Sequence, residues 1–161
     1  MAKKLPHAGA SGMAAMTLVR ALPDGRCFRP ENPILINDFT APLPDVAIVR
    51  GTPADYTRRG SVPNAEEIGL VVEITEASLR KNLTTTLQIY ACAGLPVYWI
   101  VSLVARRVEV YSEPRVEDGG VARFTSIAMF EDDQGVPLVL AGHEVARIAA
   151  RALMPEEPAG P

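Results

Sequence analysis

The stretch from Gly69 to Thr75 (GLVVEIT) has the apolar, β-branched character of a strand buried on both faces, and one carboxylate, Glu73, interrupts it. An ionised carboxylate in such surroundings costs on the order of several kcal/mol unless something compensates its charge. A second acid, Asp45, heads another strand-like run, Pro44 to Val49 (PDVAIV). Two carboxylates on neighbouring strand ends supply the hard oxygen donors that suit a divalent cation. The residues alone leave a blander account open, in which Asp45 belongs to a Pro-Asp turn at the strand start and Glu73 to a strand-end salt bridge.

The elements that must position these acids are legible from periodicity. Residues 13–22 have the composition of a short helix stopped by Pro23, Asp24 and Gly25. Extended pieces are expected at 27–29 and 34–36, then a strand from Asp45. Residues 51–68 form a surface excursion with a helical turn, leading into the strand that holds Glu73. Leu79, Leu83, Leu87 and Tyr90 keep a helical rhythm that Gly94 and Pro96 end. Residues 97–101 and 107–111 read as an antiparallel strand pair. Two more extended pieces follow at 121–130 and 136–140, with a short closing helix within 143–153. This order predicts one α/β or α+β domain with a mixed sheet over residues 13–153, a flexible start at 1–12 and a disordered tail at 154–161. Tyr90, Trp99, Ile100, Val101 and Val72 are expected in the core rather than on a base-stacking surface.

At 161 residues the chain can bury a core without disulfide or structural metal. Cys27 and Cys92 stand far apart in apolar contexts and read as free buried thiols of a reducing cytoplasm. The longest apolar stretch, 91–105, is interrupted by Gly94, Pro96 and Ser102 and is too short to span a membrane, so no membrane partner is expected. A net charge of −3 argues against indiscriminate coating of nucleic acid, yet a nuclease needs only a local basic rim. The pairs Arg58-Arg59, Arg80-Lys81 and Arg106-Arg107 are read first as solvated surface charge. His7 and His143 have no motif around them.

Four blocks, ENPILINDFTAPLPDVAIVRG, LVVEITEASL, YACAGLPVYWIV and RRVEVYSEP, resemble in order and spacing the Uma-type restriction endonucleases, a bacterial family of the PD-(D/E)XK nuclease superfamily. The resemblance covers roughly residues 13–145. It implies a restriction-endonuclease-like α/β fold, a single domain with a mixed β-sheet flanked by helices, and magnesium- or manganese-dependent hydrolysis of DNA phosphodiesters. It also implies that Asp45 and Glu73 hold the ion, assisted by a backbone carbonyl near Ile74. DNA is the implied partner, and self-association of the chain is a further expectation.

The chain departs from that pattern at the following helix. Family members carry Asp and Lys four residues apart in a stretch resembling D-x-x-x-K-x-x-x-Y-A, a spacing that puts both on one helical face. Here those positions are Asn82 and Thr86, and the lysine of the superfamily's short strand motif would fall at Thr75. Losing one such electrostatic donor commonly costs on the order of 10²–10³ in rate. Weak or lost activity is therefore expected, and the alternative is a non-catalytic nuclease fold kept for DNA binding or protein interaction. Arg80 and Lys81, at the helix start, are candidate phosphate contacts or simply solvated. The β-hairpin that usually opens the family has no counterpart before the first helix, which leaves a sheet edge to be covered by the chain or a partner.

Overall fold

A computed structural model describes residues 5–76 and 80–156, with side chains for 9–76 and 83–156. A six-stranded sheet runs β1 (Arg26–Pro30), β2 (Val46–Arg50), β3 (Ile68–Thr75), β4 (Val97–Ser102), β5 (Arg107–Val116) and β6 (Ala122–Glu131), with strand neighbours in chain order. Only β3 and β4 are parallel, joined over helix α3 (Arg80–Cys92), so the sheet is mixed as the sequence implied. A parallel pair requires such a crossover, which returns the helix across one sheet face.

Strand alternation divides the core in two. Val72, Ile74, Trp99, Val101 and Val108 face helix α1 (Leu5–Ala21), through its buried Ala10, Ala14 and Leu18. The hairpin of β7 (Gly135–Leu140) and β8 (His143–Ala149) completes that layer with Val136, Leu138 and Ile148. Val71, Tyr98 and Ile100 face the opposite way and pack with Tyr90 and Ala91 of α3. Trp99 is 0% exposed, and Tyr90, Ile100, Val101 and Val72 are buried with it, so these residues serve packing and not base stacking.

Local chemistry accounts for the ends of the elements that matter. Gly94 adopts φ +69°, and Leu95 N–H donates to the Tyr90 carbonyl while Gly94 N–H donates to that of Ala91. This Schellman arrangement ends α3 one turn after Tyr90, with Leu95 buried beneath it. Helix α2 (Pro53–Arg59) is held by a Thr52–Asp55 capping box, proline in its first turn and Gly60 at its end. Arg59 pairs with Glu67 and stacks over the ring of buried Tyr56, so this excursion is better ordered than its composition suggests.

Five expectations need correction. Residues 143–149 form strand β8 and not a helix; only Ala150–Leu153 makes a 3₁₀ turn. Ala141 and Gly142 both have positive φ and link Leu140 to its partner His143, the two-residue connection that suits a hairpin's twist. Residues 34–36 contribute one isolated bridge, Leu35 to Asn64, and no strand. The first helix begins at Leu5 and not at residue 13, while Met154, assigned to the tail, is fully buried. Both cysteines are free, but Cys92 is exposed.

Candidate metal centre

Asp45 and Glu73 meet because β2 and β3 are antiparallel and Val46 stands opposite Val72. One more step of that register places Asp45, the residue before β2, opposite Glu73. Two contacts fix the arrangement. The Ile74 N–H donates to Asp45 Oδ2 at 2.7 Å, and the Asp45 N–H approaches Glu73 Oε2 at 3.5 Å. From the other side the Tyr90 hydroxyl lies 3.4 Å from Glu73 Oε1.

Burial, together with the nearby charge of Asp45, pushes the Glu73 carboxyl up to about 7. A hydrogen bond between the two side chains favours the protonated form, whereas the Asp45 N–H and the Tyr90 hydroxyl favour the ionised one. The same burial pushes the Tyr90 hydroxyl up, and the carboxylate charge adds to it. Near neutral pH the Glu73 carboxyl thus lies close to the point at which it gives up its proton.

The donor set fits a hard cation. The Thr75 carbonyl is spent on Leu103 N–H of the β4 side, so alternation along β3 directs the Ile74 carbonyl toward β2, the side where Asp45 lies. Two carboxylates and one carbonyl would leave the remaining positions of an octahedral ion to water, as magnesium commonly prefers. Among the described residues no third His, Cys, Asp or Glu joins the pair.

Helix α3 carries the other expected positions. Tyr90 marks the face of the helix turned to Glu73, and Thr86, one turn earlier, shares that face, as does the backbone position of Asn82. Thr86 is half-buried. The side chains of Arg80, Lys81 and Asn82 lie outside the described residues. The other basic pairs are engaged locally: Arg58 with Asp55, Arg59 with Glu67, Arg106 with Asp132 and Arg107 with Glu109. Sequence reasoning placed Tyr90 in the core and missed its hydroxyl contact. It also missed Glu109, which accepts from Arg107 at 2.7 Å and from the Tyr111 hydroxyl at 2.7 Å. The alternation of Arg107, Glu109 and Tyr111 along β5 was the available clue, since it turns three polar groups to the sheet face that α3 covers.

An acid pair where the start of β2 meets the end of β3, beneath the crossover helix of a mixed sheet, is consistent with the architecture of a restriction-endonuclease-like domain. The chain belongs to the Uma2 family, described as "Putative restriction endonuclease", whose profile matches residues 5–142. Its fold is similar to the crystal structure of "a putative nuclease belonging to DUF820" from Anabaena variabilis ATCC 29413, at TM-score 0.67 and 14% identity over 91% of this chain and 79% of that one. No curated protein matches the sequence significantly. Among the described residues no helix is long and apolar enough to cross a membrane.

Proposed function

We propose that this chain is a metal-dependent DNA endonuclease of weakened activity, with Asp45, Glu73 and the Ile74 carbonyl as the site of a magnesium or manganese ion. The observation that supports it is the half-buried carboxylate pair, with Asp45 held by the Ile74 N–H and Glu73 pushed up by burial and the charge of Asp45. A bound divalent ion would supply charge neutralisation at the scissile phosphate and a more acidic water. The chain's own residues then have separate tasks. Asp45 is oriented by the Ile74 N–H, and Glu73 by the Tyr90 hydroxyl, so both carboxylates hold one geometry without ordering cost on binding. The lysine that relatives would aim at the reacting phosphate is replaced by Thr86, which carries no charge. That loss accounts for the reading of weak activity.

Supercoiled plasmid with magnesium or manganese provides the test, comparing wild type with the double substitution Asn82→Asp, Thr86→Lys, and Glu73→Ala in each background. Slow or undetectable nicking by wild type, an increase of about 10²-fold in the double variant and loss with Glu73→Ala are expected. Robust Glu73-dependent cleavage by wild type would show that the lysine is dispensable. A folded, metal-binding double variant with no gain would show that the helix pair is not what limits the reaction.

A further inference from the structure

A cavity of about 410 Å³ opens between α3 and the sheet, lined by Thr75, two residues after Glu73 on β3, and by Ile100, the β4 partner of Glu73. Two rows of the sheet register define its floor. Glu73, Ile100 and Glu109 align across β3, β4 and β5, and Thr75, Ser102 and Arg107 align one pleat further on. The second row and Glu109 line the cavity directly. Its walls are aliphatic: Leu83 and Leu87 from α3, Ile127 and Met129 from β6. Ile127 is 57% and Met129 52% exposed, an unusual placement for large apolar side chains that face a recess.

The floor carries a donor beside an acceptor. Arg107 engages Glu109 through Nε and Nη2, which leaves Nη1 outside that pair, and Glu109 also accepts from Tyr111. Each nucleobase presents a donor next to an acceptor on its Watson–Crick edge and two apolar faces. A slot with aliphatic walls and a donor–acceptor floor complements both properties. The floor also lies at the right remove from the acids. Glu109 is two strands from Glu73, roughly 10 Å at the usual strand spacing, about the reach from a nucleotide's phosphate to its base edge. A base stacked within a duplex cannot enter a recess roofed by a helix, so the occupant must be unstacked.

We propose that this cavity receives one unstacked nucleobase adjoining the phosphate that an ion at Asp45 and Glu73 would hold, which makes single-stranded or locally opened DNA the substrate class. This rests on the nuclease reading of the acid pair, but binding tests it apart from cleavage. Short oligonucleotides carrying one 2-aminopurine would be titrated in EDTA at low salt, as single strand and as duplex, against wild type, Thr84→Trp and Arg107→Gln. Thr84 is an exposed helix residue on the cavity wall, so tryptophan there fills the recess from the surface and leaves the core intact. Wild type is expected to bind the single strand about tenfold tighter than the duplex, and each variant to lose most of that preference at unchanged melting temperature. Equal affinity for the two forms, no binding of single strand, or full retention of the preference in Thr84→Trp would overturn the proposal. Single-strand binding that Thr84→Trp blocks, in a protein that neither binds metal nor cleaves, would uphold the pocket and remove the nuclease reading. Metal binding and cleavage with no effect of either variant on strand preference would do the reverse.

Discussion

Glu73 concentrates the physics of the site in one side chain. Its folded value, about 7, lies above the ordinary 4.5, so folding of the metal-free protein takes up a proton between those values. The sign follows directly. The contribution of Glu73 to stability is fully present below about 4.5 and is lost as pH rises through about 7. The carboxylates of Asp55 and Glu67, lowered by their hydrogen bonds with Thr52 and with Arg59, act in the opposite direction and at more acid pH. Urea denaturation at pH 5, 6, 7 and 8 should therefore show metal-free wild type losing stability with rising pH, and Glu73→Gln nearly flat. A parallel slope in both proteins would place the titration elsewhere. Tyr90→Phe removes a donor that favours ionised Glu73 while keeping the ring among Tyr98 and Ala91. Manganese affinity at pH 7 should fall about threefold to tenfold with little change in melting temperature, whereas Tyr90→Ala should cost about 3–5 kcal/mol through the cavity it leaves. Unchanged affinity in Tyr90→Phe would separate the hydroxyl from the site.

Helices and strands were read from the sequence with uneven success, for reasons that lie in particular residues. The β3 and β4 runs are apolar on both faces because helices or a hairpin cover both, and composition alone identifies such strands. Glu73 stood out against that background, and Pro44-Asp45 announced the other acid. The helix after β3 was legible from its apolar spacing and Gly94. Strand β8 was not, because His143, Glu144 and Val145 are all exposed and Ile148 is its one buried residue, so alternation is faint. The charged lining of β5 escaped as well. Its inward groups are hydrogen-bonded to one another, a fact that no one-dimensional pattern carries. The β7–β8 hairpin is the element whose role is most readily measured: Leu138 is fully buried against the α1 layer and its replacement by alanine should cost about 2–5 kcal/mol. Chemical denaturation checks this, and a cost below about 1 kcal/mol would mean that the hairpin is peripheral to the fold.

At the scale of the molecule the sheet is a partition. One face, under α1 and the hairpin, is filled with apolar side chains that include Trp99; the other, the face of α3, holds the acids, four tyrosines and the Arg107–Glu109 pair. The Tyr98 hydroxyl on that second face is buried without a hydrogen-bond partner among the described residues, and burial beside Glu73 pushes it up further. A hydroxyl left in that state costs about 1–3 kcal/mol, and the α1 face carries the same kind of cost at Ser11 Oγ and Trp99 Nε1. The nuclease reading of the α3 face depends on whether the acid pair holds an ion. The most direct measurement is isothermal titration of manganese into the purified chain at pH 8, beside Asp45→Ala and Glu73→Ala, each verified as folded by near-ultraviolet circular dichroism. One ion per chain in wild type, weakened at least about tenfold in either variant, is the expected result. Affinity that survives both substitutions, or no binding to the wild type, would contradict the account.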